Sequence, residues 1–277
     1  DYTQIEAAIT KKTKAILPVH YGGQPVNLTK IRQIAKAHNL IVIEDAAHAI
    51  GTEYKGKRIG TISEMACFSF HPVKNMTTGD GGAIATNDKV LAERLMMLRV
   101  NGMDKESWKR NTTSGSWDYA ITVLGFKYHL NDLGAALGIH QLKKLDKFIA
   151  TRVKVAQTYD KAFAKVKELT VPYSDPAHRH AHNLYPLLID TTNLSLTRNQ
   201  IMEELKKYNI GSVVYYRPMH MQPYYQQSLK LKVGMFPVAE KVFEQLVCLP
   251  IYAGMTVEDA KYVAEVLKYI LAQSRKQ

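Results

Sequence analysis

The chain has 277 residues, 46% of them hydrophobic and 22% charged, which is typical of a globular protein with one large domain or two unequal ones. No stretch approaches the roughly 18 apolar residues of a membrane span, and the N-terminus shows no signal-peptide core, so we expect a cytoplasmic protein without membrane contact. The formal net charge is +12, but the lysines are scattered and form no stripe, which argues against nucleic-acid binding.

Cysteines and histidines give two further expectations. Cys67 and Cys248 lie far apart in apolar runs and are predicted to be buried small hydrophobic residues in a reducing compartment. His178, His180 and His182 alternate along the chain, as metal ligands on one strand face would. Their place beside a predicted domain linker favours solvated side chains instead, so no metal site is predicted.

The first half of the chain alternates between apolar runs and amphipathic helices. Helices are predicted near 5–10, over 28–39 with Asn27 or Thr29 as the cap, and over 89–101. The apolar runs are 15–20, 40–47, 65–70 and 81–86. Such continuous runs predict buried parallel strands covered on both faces. A polar stretch over 102–120 predicts a long surface loop.

The second half has a different order of elements. A long helical region from 131 to about 167 leads into a smaller α+β pattern. The elements predicted in that pattern are a strand over 182–190, a helix over 198–209, a strand over 211–216, and helices over 238–246 and 256–272. We therefore predict a large domain at 1–150 and a small domain at 151–277.

The first group of candidate functional residues is Glu44-Asp45-Ala46-Ala47-His48, at the end of an apolar run. In open parallel sheets, ligands bind outside the carboxyl ends of strands. A carboxylate at that place can keep a cofactor's ring nitrogen protonated, as an electron-withdrawing pyridinium requires. His48 could contact the ring or its phenolate oxygen. A carboxylate that caps a turn beside a packed histidine explains these residues equally well.

The second group runs from Phe68 through Lys74 to Gly82, where an apolar run leads to a single lysine and a glycine-rich turn. A lysine at the mouth of a buried sheet can lose its proton, and the neutral amine can form a Schiff base with an aldehyde. Ser69, five residues before Lys74, could donate a hydrogen bond to a phosphate. An ordinary turn after a strand is the plain alternative for the lysine alone.

Five ordered segments carry a family resemblance: VIEDAAHAIG, FSFHPVKNMTTGDGG, LGFKYHLNDLGAALG, RPMHMQPYY and LPIYAGMT. Together they resemble the DegT/DnrJ/EryC1/StrS family of sugar aminotransferases over nearly the whole chain. The resemblance implies an α/β protein with the pyridoxal-phosphate (PLP) dependent transferase fold type I, similar to aspartate aminotransferase. It also implies homodimers with shared active sites.

The resemblance also assigns roles to individual residues. It makes Lys74 the Schiff-base lysine and general base, and Asp45 the partner of the pyridine nitrogen. His48 would contact the cofactor ring, and Ser69 the phosphate. Lys127 stands where many members have an asparagine that reaches the phosphate in the neighbouring subunit, and a lysine could contact that phosphate as a point charge.

The presence of Lys74 favours transamination, because related dehydratases have histidine at that position. The resemblance implies that glutamate donates the amino group to a keto-sugar linked to a nucleotide, with C4 as the expected carbon, in surface polysaccharide or lipopolysaccharide biosynthesis. His71, Arg217 and His220 are the candidates for substrate contacts. Surface loop residues without a role are an equally good interpretation of Arg217 and His220.

The chain begins later than members of this family do. We therefore expect an N-terminally truncated sequence that lacks a phosphate-binding turn and a ring-stacking aromatic residue. A catalytically incomplete fragment that binds PLP or a nucleotide sugar is the alternative to an active aminotransferase.

Overall fold

A computed structural model describes residues 1–104 and 118–276. Most of the loop predicted over 102–120 lies outside the described residues. The chain divides into two compact units. The first unit comprises Asp1–Tyr21 and Pro25–Leu145, and the second comprises Gly22–Gln24 and Asp146–Gln277. Within the described ranges, no helix has both the length and the apolar character needed to cross a membrane.

The first unit is built on a mixed sheet with short helices. Its helices are α1 (Ile5–Ala8), α2 (Leu28–Ala37) and α3 (Lys89–Leu98). Its strands are β1 (Ala15–Ile16), β2 (Ile41–Asp45), β3 (Glu53–Tyr54), β4 (Lys57–Arg58), β5 (Met65–Ser69) and β6 (Gly82–Ala85). A long helix, α4 (Asp132–Phe163), contributes residues to both units.

The main sheet has the strand order β1-β2-β5-β6. The pairs β1–β2 and β2–β5 are parallel, as predicted, and Asp45 lies opposite Cys67. The prediction of a buried parallel strand over 81–86 is wrong, because β6 pairs antiparallel with β5 and most of its residues are exposed. A parallel return needs a crossover, usually a helix, whereas the chain between Ser69 and Gly82 contains only a loop.

Strand β2 shows how the unit separates its core from its polar edge. Val42 and Glu44 are buried on one face, whereas Ile43 and Asp45 are half-buried on the other. Side chains alternate between faces along a strand, so Glu44 and Asp45 point in opposite directions. Helix α2 covers the strand with Ile31 and Ala35, and Asn27 accepts a hydrogen bond from the N–H of Lys30, which confirms Asn27 as its cap.

The second unit combines an antiparallel sheet with amphipathic helices. Its strands are β7 (Leu169–Thr170), β8 (Tyr185–Ile189) and β9 (Leu246–Leu249), in that spatial order. Its helices after α4 are α5 (Arg198–Lys207), α6 (Pro223–Leu229), α7 (Pro237–Gln245) and α8 (Val257–Ser274). In β8, Tyr185, Leu187 and Ile189 are fully buried and alternate with half-buried residues, the pattern of a sheet with one face on a core.

One strand prediction in this unit is wrong, and one strand was not predicted. The segment 211–216 forms only a single bridge, from Val213 to Cys248, and not a strand. The apolar run around Cys248, which was not predicted as a strand, is β9 and pairs with β8. All four residues of β9 are buried, and a fully apolar run carries no alternation by which periodicity distinguishes a strand from a helix.

The expected solvation of the three neighbouring histidines is also wrong for His180 and His182, which are buried. Their rings stack with centroids 3.9 Å apart, and the pKa of each is lowered, to about 3 and about 4, mainly by burial. Arg152 of α4 explains the burial, because its Nη1 donates to the carbonyl oxygens of His182, Asn183 and Ile251 and so holds the segment against the helix. Cys248 is buried as predicted, but Cys67 is partly exposed.

Candidate active site

The carboxyl edge of β2 carries the first candidate residues. Two backbone hydrogen bonds hold Asp45 in place. Its N–H donates to the carbonyl oxygen of Pro18, and its own backbone carbonyl oxygen accepts from the N–H of His20. Asp45 Oδ1 accepts from the N–H of Ala47 at 3.0 Å, so the carboxylate caps the turn that follows the strand. His48 ends this turn, is buried, and lies with its ring centroid 6.0 Å from that of Tyr21.

The loop between β5 and β6 carries Lys74 and is folded upon itself. The N–H of Lys74 donates to the oxygen of His71, and the N–H of Thr78 donates to the oxygen of Phe70. Asn75, Met76 and Thr78 are buried and anchor the loop, whereas Lys74 itself is half-buried. The lysine amine is therefore presented by a fixed backbone at the same sheet edge as Asp45.

Helix α4 packs unusually closely against this loop. A Cβ on Gly138 would lie 2.8 Å from the methyl group of Thr78, and a Cβ on Gly134 would lie 3.1 Å from the Thr78 oxygen. Gly81 has a φ of +146°, and a Cβ there would lie 2.7 Å from Thr78 Oγ1. A Cβ at Gly138 would force Thr78 to move and one at Gly134 would crowd it, so these two glycines allow the helix to lie close to the loop.

The charge of Asp45 is close enough to influence the pKa values of both Lys74 and His48. Burial lowers the pKa of the Lys74 amine, and the nearby Asp45 carboxylate partly opposes this shift. Burial and the positive charge of Lys74 lower the pKa of His48 to about 4, again opposed by Asp45. The imidazole of His48 is therefore neutral at pH 7, and the lysine loses its proton more easily than a lysine in water.

Ser69 and His71 lie in the chain that leads to Lys74. Ser69 is the last residue of β5, opposite Gly82, and its Oγ accepts from the N–H of His71 at 3.4 Å. The His71 side chain is exposed, and its Nδ1 accepts from the N–H of Val73 at 3.4 Å. Both residues thus lie at the candidate site, with the Ser69 hydroxyl at the sheet edge.

Lys127 belongs to the first unit but lies in a different segment. Its backbone bridges to Val100, and its side chain is exposed between Phe126 and Tyr128, whose rings stack at 5.1 Å. Among the described contacts, none connects Lys127 with Lys74. The structure therefore groups Asp45, His48 and the Lys74 loop, and leaves Lys127 on an exposed apolar surface.

The two substrate candidates from the RPMHMQPYY segment belong to the second unit and differ in burial. Arg217 is exposed. His220 is buried, and its Nε2 lies 2.8 Å from Glu240 Oε1. The same carboxylate oxygen accepts from the backbone N–H groups of Gly234 and Phe236. His220 therefore fixes a loop of its own unit, and Arg217 is the more accessible of the two.

Sequence reasoning gave no role to the buried neighbour of Asp45. Glu44 is completely buried, and its Oε2 lies 2.8 Å from Nε2 of the equally buried His20. Its Oε1 accepts from the N–H of Ser63. Two consecutive carboxylates on one strand were the available signal, because alternation sends them to opposite faces and so one of them must be buried and paired.

These side chains fit the chemistry of PLP. A half-buried amine with a lowered pKa suits an aldehyde, and a carboxylate at the same edge suits a protonated ring nitrogen. A neutral imidazole can lie against a ring, and the hydroxyl of Ser69 can donate to a phosphate. Within the described residues, no group of three or more histidine, cysteine or acidic side chains is arranged to hold a metal ion.

Comparison with known proteins agrees with the assignment of these side chains to a PLP site. The spore coat polysaccharide biosynthesis protein SpsC of Bacillus subtilis is 40% identical over 272 residues, which cover 98% of this chain and 70% of SpsC. The structure of Helicobacter pylori PseC, an aminotransferase involved in pseudoaminic acid biosynthesis, matches with a TM-score of 0.90 and 29% identity, covering 99% of this chain and 71% of PseC.

A third similar protein has a solved structure in its PLP form. The PLP form of the putative sugar aminotransferase Spr1654 from Streptococcus pneumoniae has a TM-score of 0.88 and 28% identity, covering 99% of this chain and 72% of that one. These likenesses confirm the predicted fold type I and PLP as the cofactor. The protein is a PLP-dependent sugar aminotransferase. The DegT/DnrJ/EryC1/StrS aminotransferase family model matches residues 1–268, and the chain belongs to that family.

Proposed function

We propose that the protein transfers an amino group from glutamate to C4 of a nucleotide-linked keto-sugar, in the biosynthesis of a surface polysaccharide or lipopolysaccharide. The observation that carries the proposal is the half-buried Lys74, whose lowered pKa and proximity to Asp45 provide a reactive amine beside a carboxylate. The names of SpsC and PseC, which refer to polysaccharide and pseudoaminic acid biosynthesis, support the choice of a sugar pathway.

Lys74 is the catalytic residue in this proposal. When bound, PLP supplies the aldehyde that receives the amino group and the ring that withdraws electrons. The neutral Nζ of Lys74 removes a proton from the donor carbon and returns a proton to the sugar carbon in the second half-reaction. Burial lowers the pKa of the Lys74 amine and so favours the neutral form that removes the first proton; once protonated, the same amine can return a proton.

Asp45 and His48 hold the cofactor ring in this proposal. The Asp45 carboxylate would accept a hydrogen bond from the protonated ring nitrogen, and its turn contact with Ala47 limits its direction. His48, neutral and buried, would contact the ring without adding a positive charge that repels the protonated nitrogen. The hydroxyl group of Ser69 would donate a hydrogen bond to the phosphate, and His71 and Arg217 are proposed to contact the substrate.

A homodimer with shared sites is the proposed assembly. Several large apolar side chains on the first unit are solvent-exposed, and the most exposed are Leu124 at 93% and Leu133 at 86%. The exposed Lys127 lies among them, beside Phe126 and Tyr128. A second copy would cover this apolar surface, and Lys127 would then contact the phosphate in the neighbouring site. Cys67 and Cys248 are not joined in a disulfide, which supports the cytoplasm as the compartment.

Borohydride reduction tests the catalytic assignment. The protein is incubated with PLP, reduced, digested and mapped by mass spectrometry, with Lys74→Ala as the control variant. We expect the cofactor on Lys74 and a glutamate-dependent loss of the visible absorbance band before reduction. Labelling on scattered surface lysines, equal in wild type and variant, would contradict the proposal. Labelling at Lys74 without a response to glutamate would favour a binding protein or another amino donor.

A further inference from the structure

Backbone and side-chain hydrogen bonds join the segment 18–20 to the end of β2 in one network. The N–H of His20 donates to the oxygen of Asp45, and His20 Nε2 lies 2.8 Å from Glu44 Oε2. Because Glu44 and Asp45 are covalent neighbours, these two contacts hold the strand end to the His20 segment from both backbone and side chain. The side chains of His20 and Glu44 are both 0% exposed.

The hydrogen bonds of this network identify the nitrogen of His20 that carries the proton. His20 Nδ1 accepts from the N–H of Val26 at 3.2 Å, so the proton of the neutral imidazole is on Nε2 and is donated to Glu44. The other carboxylate oxygen of Glu44 accepts from the N–H of Ser63 at 3.2 Å. Both side-chain oxygens of Glu44 therefore have hydrogen-bond partners, and the strand cannot rotate about its axis without breaking these bonds.

We infer that the His20–Glu44 pair positions the cofactor-binding edge of the sheet. The pair holds Glu44 on one face of β2 and thereby fixes the direction of the Asp45 carboxylate on the other face. The inference rests on the proposed function, because it gives Asp45 the ring nitrogen as its partner. The same segment continues from His20 into Tyr21, whose ring lies beside His48. One buried contact thus places both residues that are proposed to hold the ring.

The stability of the strand does not require a His20–Glu44 pair at this place. An ionised carboxylate is costly to bury, and a pair of apolar residues of similar volume would stabilise the strand equally well or better. Val42, two residues earlier on the same face of β2, provides that apolar packing and is 2% exposed. The buried pair of charged and polar side chains on this face of β2 therefore lies next to Asp45, where direction affects the chemistry, whereas the Val42 side chain contributes apolar packing.

The test compares His20→Ala, His20→Gln and Val42→Ala in the PLP-loaded protein. His20→Ala removes the contact with Glu44, His20→Gln retains an N–H donor for it, and Val42→Ala destabilises the same strand without touching the pair. Three quantities are measured for each protein: the melting temperature, the pH midpoint of the visible absorbance band, and the dissociation constant for PLP.

We expect His20→Ala to shift the absorbance midpoint by roughly one pH unit and to weaken PLP binding about tenfold, with His20→Gln intermediate. Val42→Ala should keep the wild-type midpoint even where its melting temperature falls further. If His20→Ala does not fold, His20→Leu, which fills the space but cannot hydrogen-bond to Glu44, is compared with Val42→Ala, and an unshifted midpoint in His20→Leu overturns the inference.

Two other outcomes are distinguishable. Equal midpoints in His20→Ala and Val42→Ala at similar stability would show that the pair only stabilises the fold, while the proposed function stands. A wild-type protein without any borohydride-reducible cofactor on Lys74 would overturn the proposed function and, with it, this inference.

Discussion

The two units differ in how they use buried surface. In the described part of the second unit, one hydrophobic cluster of 21 buried residues links helices α4, α5 and α8 with the sheet. The described part of the first unit has two separate clusters of six and three buried residues, and exposes large apolar side chains such as Leu124 and Leu133. Among the described residues, the unit that carries the reactive lysine therefore has the smaller clusters, and its half-buried Asp45 and Lys74 lie at the edge of a sheet.

This contrast suggests a division between chemistry and stability. A contiguous core resists large-to-small substitutions poorly but keeps its unit folded, whereas a sheet edge can hold charged groups at moderate cost because part of their surface remains in water. Substitutions in the two units should accordingly separate activity from the free energy of unfolding.

The largest effect is expected for Lys74→Arg, which keeps the charge but cannot provide a neutral amine near pH 7. Amino transfer should fall by roughly 10³-fold or more, measured as the single-turnover rate with an amino donor. The free energy of unfolding should stay within about 0.5 kcal/mol of wild type, because the side chain is only half-buried. Transfer at near wild-type rates would mean that another group moves the proton.

Leu267→Ala should have the opposite profile. Leu267 is 0% exposed in the large cluster, so its truncation should lower the free energy of unfolding by about 2–5 kcal/mol. Val90→Ala, at a 76% exposed position of the first unit, is the control and should change that energy by less than about 0.5 kcal/mol. Urea unfolding measures both, and equal losses would remove the contrast between the units.

The stacked histidines predict acid sensitivity of the second unit. The folded state lowers the pKa of His180 to about 3 and that of His182 to about 4, so both are neutral when folded. Below about pH 6.5 the unfolded chain binds protons that the folded chain does not, and stability is therefore present above that pH and is lost as the pH falls. Each histidine contributes a slope of up to about 1.4 kcal/mol per pH unit.

His180→Asn tests this slope. The asparagine oxygen can replace His180 Nδ1 as the acceptor for the N–H of His182, but it does not titrate. Urea unfolding at pH 7 and pH 5 should show a smaller loss in the variant than in wild type. His129→Asn, at an exposed position, should retain the wild-type slope. An unchanged slope in His180→Asn would assign the acid sensitivity to other groups.

The smallest effect is expected at the start of α8. Thr256 Oγ1 accepts from the N–H of Asp259, and Asp259 Oδ2 accepts from the N–H of Thr256, which together form a capping box. Thr256→Ala should lower the free energy of unfolding by about 1 kcal/mol, whereas Thr256→Ser should retain most of it. Activity per folded molecule should not change, and a loss of activity in both variants would contradict the separation of roles.

Sequence alone predicted the elements whose signal is local. The apolar run before Asp45, the turn with Lys74 and the long helix after residue 131 each follow from periodicity or from a break in it. The antiparallel direction of β6 could not be predicted in this way, because a strand of either direction has the same apolar composition. The kind of segment that connects two strands determines whether they pair parallel or antiparallel. The hydrogen bond between Arg152 and the carbonyl oxygen of His182 joins residues 30 apart, and the His20–Glu44 pair joins residues 24 apart. Such contacts are set by tertiary packing and leave no mark in a local pattern.

The antiparallel return of β6 has a consequence for how the loop with Lys74 can vary in length. Ser69 and Gly82 lie opposite each other in the ladder, so both ends of the loop are tied at one point. Gly79 lies at its exposed tip, where an added Cβ would have none of the described atoms beyond its own neighbours within 4 Å. Since closing a loop of twice the length costs only about 0.6 kcal/mol more, extra residues at this tip would scarcely disturb folding. Lineages could therefore lengthen or shorten this tip while the anchored stretch from Phe70 to Thr78 keeps the amine in place.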